Sequence, residues 1–220
     1  MRFIIHELPY ERPLLAGRLR YERDGVPTGA LESWRLTSAA DGYRFLRVDL
    51  DAREAPSGRS YLYHMTINPA GLPEQINYRL WSDGLDVSGT AVWEGNEVIA
   101  ARQVNGVSYE DLARGSAFWF PAGVGLALLA VCVGETEGVT MVTDSSAHTE
   151  ILAMVETSVD ITLSNAENEQ AGSEMLLVRP LTVAWGDQVR TVWLDGENRP
   201  MRVRRNDGLT ATAERLVRYG

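Results

Sequence analysis

Apolar and polar residues alternate with a period of two along most of this chain, the pattern of strands with one face buried and one wet. From Leu31 to Thr37, Trp34 and Leu36 share a face while Ser33, Arg35 and Thr37 take the other. Asp41-Gly42 predicts a turn into a strand that ends near Val48 or Leu50. Tyr61, Tyr63, Met65 and Ile67 form the next face, followed by Ile76, Tyr78 and Leu80 within Gln75 to Trp81. Leu85 to Trp93 sets Leu85, Val87, Gly89, Ala91 and Trp93 against Asp86, Ser88 and Thr90. Glu94-Gly95-Asn96 then turns the chain into Val98 to Gln103. Beyond residue 138 the pattern predicts a strand over Val139–Thr143, one long strand over Glu150–Ser164, and a polar loop from Asn165 to Gly172. Met175 to Ala184 follows, where Pro180 predicts an edge or a bulge. Gln188–Asp195, Met201–Arg205 and Leu209–Val217 complete a meander. Hairpin spacing without intervening helices predicts antiparallel pairing.

One segment occurs twice. Ile67 to Leu85 reads INPAGLPEQINYRLWSDGL, and Trp193 to Leu209 reads WLDGENRPMRVRRNDGL. Each has an apolar entry, a Gly-bearing turn, a proline (Pro73, Pro200), an alternating run, and an Asp-Gly-Leu exit. Strand, turn, strand, turn, strand is therefore written in both halves of the chain.

The middle breaks the pattern. Val107 to Arg114 (VSYEDLAR) predicts a short helix, and Gly115 to Gly134 carries no charge at all. Pro121, Gly123 and Gly125 interrupt this apolar segment, whose solid part is only Leu126 to Val133. A membrane span needs about twenty apolar residues with basic anchors, so a buried helix is the better expectation. The segment 107–134 would then join two related β halves, about 28–104 and 138–220, within a single β domain spanning residues 1–220.

Composition narrows the chemistry. All 21 basic residues are arginine, which removes lysine chemistry such as Schiff bases and phosphate-loop amines. A net charge of -9 opposes binding to nucleic acid or an anionic membrane. Cys132, the lone cysteine, excludes an intrachain disulfide and a thiolate zinc cluster. The apolar run near the start is broken by His6 and Glu7, so it does not read as a secretory signal, and a cytoplasmic location is expected.

Candidate chemistry is sparse. His6, His64 and His148 show no metal-ligand spacing, so no metal or other cofactor is expected. His148 lies near Asp144, Ser145, Ser146 and Glu150, which reads as a polar turn rather than a catalytic triad. Arg199, Arg202, Arg204 and Arg205 form a basic spot that reads as a solvated strand face or, alternatively, as a cradle for an anionic head group. Aromatics are more suggestive: Trp34, Tyr61, Tyr63, Tyr78, Trp93 and Trp193 fall on strand faces, and Phe118-Trp119-Phe120 opens the apolar segment. Such a set either fills a core or lines an apolar cavity.

The stretch VWLDGENRPMRVRRNDGL from Val192 to Leu209 resembles the terminal strands of the lipoprotein-carrier family and related lipid-binding β half-barrels. INPAGLPEQINYRLW is similar, more loosely, to bacterial putative glycolipid-binding proteins of spiral β-roll type. The resemblance covers some forty residues, and hairpin chemistry dictates much of its motif. It implies a strongly bent antiparallel sheet, closed on its concave side by helix, holding a hydrophobic ligand. Carrier-family members are exported, whereas no export signal is read here.

The expected protein is thus mainly β, a strongly bent antiparallel half-barrel or β-roll with a central apolar helix packed into its concave face. Its expected function is non-enzymatic binding of a lipid, glycolipid or other hydrophobic molecule, with Tyr63, Met65, Tyr78, Trp93, Phe118, Trp119 and Trp193 as ligand-binding residues. A hydrolase or isomerase using His64 or His148 with acids is one alternative. The other is an interaction module that docks a partner, or a second copy as a homodimer, through an edge strand or the Phe118-Trp119-Phe120 patch.

Overall fold

The computed structural model describes residues 7–56, 58–143, 145–171 and 174–219. Eight strands come first: β1 (Arg12–Arg23), β2 (Val26–Ser38), β3 (Arg44–Asp51), β4 (Ser60–Ile67), β5 (Pro73–Ser82), β6 (Leu85–Glu94), β7 (Glu97–Val104) and β8 (Val107–Arg114). The middle holds β9 (Ala117–Trp119), α1 (Gly123–Ala127), a 3-10 turn (Leu128–Val131), β10 (Glu137–Met141), a second 3-10 turn (His148–Glu150) and β11 (Met154–Ser158). The chain ends with β12 (Asp160–Leu163), β13 (Glu167–Ala171), β14 (Glu174–Trp185), β15 (Gln188–Leu194), β16 (Pro200–Arg205) and β17 (Leu209–Arg218).

Fourteen strands form one sheet in the order β12-β14-β15-β16-β17-β1-β2-β3-β4-β5-β6-β7-β8, with β13 added on β14. Its ladders are antiparallel, and β1 pairs with β17 on one side and β2 on the other, so the two ends of the chain are stitched together. β8 and β12 do not pair with each other, so the sheet is not closed. β9, β10 and β11 form a small separate sheet that, with α1, lies against the inner face of the large one. This insert touches β8: the Met154 N–H donates to Asp111 at 3.3 Å, and the Arg114 N–H to Glu156 at 2.8 Å.

The inner face of the sheet is the core. Trp34, Leu46, Val48, Tyr63, Met65 and Tyr78 pack with Phe118, Phe120 and Val124 of the insert. On the other flank, Leu19, Leu181, Val183, Val192 and Val203 pack with Trp119, Leu126 and Leu129. A buried carboxylate fixes where the insert sits. Glu32 is wholly buried and accepts hydrogen bonds from the Tyr21 hydroxyl (2.6 Å), the Gly123 N–H (2.8 Å) and the Val124 N–H (3.0 Å). It thereby satisfies the first donors of α1, which no capping side chain of its own segment serves.

Several local expectations are corrected. Val107–Arg114 is strand β8, not a helix. Its inward positions are Tyr109, Asp111 and Ala113, so a charge stands where a strand face should be apolar, while Leu112 points out and is exposed. Asp111 is tolerated inside because Arg102 of β7 meets it through two hydrogen bonds of 2.7 and 3.2 Å. Asn105-Gly106, with φ of +48 and +84, is the two-residue turn that marks this hairpin in the sequence.

The helix expected to fill Gly115–Gly134 is short: Ala117–Trp119 is strand β9, α1 is only five residues long, and the 3-10 turn Leu128–Val131 continues it. Pro121, which lacks an N–H, keeps a helix from running in from Phe118, and Gly125 lets the Phe120 carbonyl and ring lie against the short helical turn where a side chain would strike them. No helix among the described residues is long and apolar enough to cross a membrane. The long strand expected over Glu150–Ser164 is two, β11 in the insert and β12 in the main sheet. The loop expected over Asn165–Gly172 is largely β13. Pro180 lies where β14 exchanges its partner β12 (to Leu181) for β13 (from Val178), so its missing N–H leaves no ladder bond unmade.

Candidate binding cavities

The two copies of the repeated segment fold alike. In the first, the Asn68 N–H donates to the Leu72 carbonyl (2.9 Å) and the Gly71 N–H to the Asn68 carbonyl (2.9 Å). In the second, Asp195 donates to Arg199 (3.1 Å) and Asn198 to Asp195 (3.0 Å) in the same places. The side-chain oxygen of Asn68 accepts from the N–H groups of Ala70 and Leu72, and Asp195 Oδ1 from those of Glu197 and Arg199. Gly71 and Asn198 both take left-handed backbone, at φ +87 and +59, which these two residue types adopt at least cost. Pro73 and Pro200 then open β5 and β16, each beside a register shift in the preceding strand. The Asx oxygen that replaces missing ladder bonds is thus the reason the motif repeats.

These two turns face the same cavity, of about 550 Å³. Its walls are Leu15, Leu36, Leu46, Met65, Trp93 and Phe118, and one side is the helical turn from Val124 to Cys132. Trp93 meets Phe118 edge-on at 4.7 Å, and Phe118 lies 6.3 Å from Phe120. Leu72 (60 % exposed) and Val131 (79 % exposed) carry the apolar lining out to solvent. Charged groups occur only at the mouth: Arg44, Glu74, Glu197 and Arg199. The buried Trp34 indole N–H at this wall has no hydrogen-bond partner.

A second cavity, of about 1360 Å³, lies at the opposite ends of the strands, under the turns that join β1 to β2, β3 to β4 and β16 to β17. Trp119 and Trp185, edge-on at 5.2 Å, form its wall with Tyr61 and Leu126, and Arg190 lies 5.4 Å over Trp185. Its rim mixes Arg23, Arg59 and Arg205 with Asp24, Glu54 and Asp207. Arg23 and Arg205 both bond to Asp207, whose carboxyl stays below its ordinary range: burial raises it, but Arg205, the Leu209 N–H and Arg23 together lower it further. The insert separates the two cavities.

The expected site residues divide among these places. Met65, Trp93 and Phe118 line the smaller cavity, and Trp119 lines the larger. Tyr63 and Tyr78 are buried core. Tyr63 packs on Phe120 at 4.5 Å, and the Tyr78 hydroxyl, its pKa raised by burial and by the Asp111 charge, has no partner. Trp193 lies on the outer face, its N–H donating to Glu167 at 2.9 Å and its ring flanked by Arg202 and Arg204 at 5.1 and 5.3 Å. Val192 and Leu194, its neighbours in β15, are the fully buried inward positions, and their alternation with Trp193 is the signal that could have separated it from the rest. Leu15, Leu36, Arg44, Leu72 and Val131 line the smaller cavity and were not anticipated; only the fold brings them together. The four arginines do not form one spot: Arg199 bonds to Asp195 and lines the smaller cavity, Arg202 (paired with Glu169) and Arg204 flank Trp193 on the outer face, and Arg205 lines the larger cavity.

Neither described histidine, His64 or His148, lines a cavity. His148 is exposed on its 3-10 turn, while Ser145 donates to Glu150 at 2.6 Å; His6 and Asp144 lie outside the described residues. His64 is half-buried on the outer face, where burial and Arg47 lower its pKa while Glu11 opposes the shift. Among the described residues no group of three or more His, Cys, Asp or Glu side chains could hold a metal ion. Cys132, at the smaller cavity, has its thiol pushed up by burial and by Glu135, which disfavours the reactive thiolate. Phe118, Trp119 and Phe120 are all buried, so they form no exposed docking patch.

No family model matches this chain, and no curated protein matches it. Among solved structures it is similar to a β-barrel-like protein of domain of unknown function DUF1849 from Brucella abortus. The identity is 11 %, the TM-score 0.58, and the match covers 94 % of this chain and 98 % of that one. The likeness establishes a β-barrel-like fold and nothing about activity.

Proposed function

We propose that the smaller cavity binds a hydrophobic small molecule, a single-chain lipid in the first instance, and that the protein acts as a binder and not as an enzyme. The observation that carries this reading is a volume of about 550 Å³ walled by leucines, methionine, tryptophan and phenylalanine, with charge confined to its mouth. That volume lies within the range of about 300–1,000 Å³ in which small-molecule sites fall. Each methylene moved from water into such walls contributes about 0.8 kcal/mol, so an alkyl chain needs few polar contacts to bind. Hydrolysis or isomerisation finds less support there: no described histidine lines the cavity, and its two carboxylates, Glu74 and Glu197, are engaged by Tyr43 and by Arg199 and Arg218.

The test is a titration with N-phenyl-1-naphthylamine, a neutral apolar fluorophore, followed by displacement with hexadecanol. Saturable binding is expected, and it should vanish in Leu36→Trp, which fills the cavity from a partly buried wall position. Equal binding by the wild type and by Leu36→Trp with an unchanged melting curve would refute the assignment. Native mass spectrometry of the freshly purified protein supplies an independent reading of any carried ligand.

A further inference from the structure

We propose that this same cavity selects amphiphiles with an anionic head, and that Arg44 is the residue that reads the head. The inference rests on the alkyl-binding reading above. It starts from register. In β3 the residues Arg44, Leu46, Val48 and Leu50 share one face, and Leu46, Val48 and Leu50 are buried on the inner side of the sheet. Arg44 therefore occupies an inward position where the strand otherwise places aliphatic side chains. It stands at the cavity mouth beside Asn68, Gly71 and Leu72, and its Nη2 would lie 3.2 Å from a Cβ on Gly71. The first repeated turn thus leaves room for this guanidinium.

The other charges at the mouth are taken. Arg199 bonds to Asp195 at 2.6 Å and to Glu197 at 3.3 Å, and Glu197 also holds Arg218. Glu74 accepts a hydrogen bond from the Tyr43 hydroxyl, which raises the pKa of that tyrosine. The Arg44 guanidinium has no ion pair and no hydrogen bond among the described residues. A guanidinium offers five donors in a planar fork suited to two-pronged contact with a carboxylate or phosphate. Set at the mouth of an apolar pocket, it lies where the head of a ligand would come to rest with its chain inside. The chain's net charge of -9 repels anions at long range, so the selection has to come from this short-range contact.

The experiment displaces N-phenyl-1-naphthylamine from the full chain with four sixteen-carbon ligands: hexadecanoate, hexadecyl phosphate, hexadecanol and hexadecyltrimethylammonium. The anions should compete at about tenfold lower concentration than hexadecanol, as one charge-assisted contact implies. Arg44→Gln should erase that preference while hexadecanol keeps its affinity to within about twofold. Arg44→Lys, which retains the charge without the fork, should keep part of it. Whether hexadecanoate or hexadecyl phosphate competes better separates a fatty-acid head from a lipid phosphate; either result supports the proposal. Equal competition by hexadecanol and both anions, or a preference that survives Arg44→Gln, would overturn the role of Arg44 and leave the alkyl site standing. Failure of all four ligands to displace the probe would overturn the alkyl site and this inference with it.

Discussion

Replacing Glu11 by glutamine should be strongly destabilising. Glu11 and Arg47 form a two-pronged ion pair at 2.6 and 2.7 Å, with side-chain exposures of 0 % and 7 %. The Thr37 hydroxyl also bonds to Glu11, and the Leu8 N–H does so at 3.1 Å, so the carboxylate pins residues 8–11 over the outer face of β2 and β3. Glutamine keeps the shape but leaves a buried guanidinium without its counter-charge, a loss of about 3–5 kcal/mol for such pairs. At about 2–4 °C per kcal/mol for a chain of this size, the melting temperature should fall by roughly 6–20 °C at pH 7. The pH dependence gives a sharper criterion. Burial raises the Glu11 pKa, but the bonds from Arg47, Thr37 and Leu8 and the Arg47 charge bring the balance below the ordinary 4.5. A carboxyl lowered on folding lends its stability in full above the unfolded value and loses it as pH falls through the folded one. The gap between wild type and Glu11→Gln should therefore be widest at neutral pH and close on acidification. Thermal melts by circular dichroism from pH 7 to pH 3 measure both. A loss under 2 °C at neutral pH, or a gap that does not narrow in acid, would refute this account of the pair.

Glu32→Gln should show the opposite sense. Burial raises the Glu32 pKa against the pull of Tyr21 and the Val124 and Gly123 N–H groups, so its stabilising effect is complete below the ordinary value of 4.5 and declines as pH rises through the folded one. The same melts should show the deficit of Glu32→Gln shrinking towards neutral pH. Gly89→Ala should destabilise by about 1–3 kcal/mol, because a Cβ there would lie 2.5 Å from the Tyr78 ring, which packs across the strand pair onto the bare backbone. Urea denaturation followed by tryptophan fluorescence checks this, and an unchanged midpoint would show that the ring can move aside freely.

Most strands and their local hairpins were legible because a buried sheet face imposes a period of two that few other structures share. β4, β5 and β6 announce themselves through Tyr63, Met65, Ile76, Tyr78, Val87 and Ala91, and all of these are buried together. The repeated turn was legible for a more local reason: an Asx side chain, a left-handed Gly or Asn and a proline specify one backbone path. β8 was not, because Asp111 sits inside and Leu112 outside. That inversion is stable only through Arg102 on the neighbouring strand, a partner nine residues away.

What the chain's own pattern determined is a mainly antiparallel β protein with an apolar middle and two like-built turns. What only the tertiary structure decided is that β17 joins β1, that the middle is an insert of short strands and helical turns held by Glu32, and that the two turns meet across one cavity. Periodicity reports which face of a strand is buried, since that depends on the alternation of neighbouring side chains. It carries no information on which distant residue lies opposite. Met65, Trp93 and Phe118 could be read as apolar positions, but whether they fill a core or enclose a space depends on the volume left between sheet and insert. That volume is a property of the whole packing.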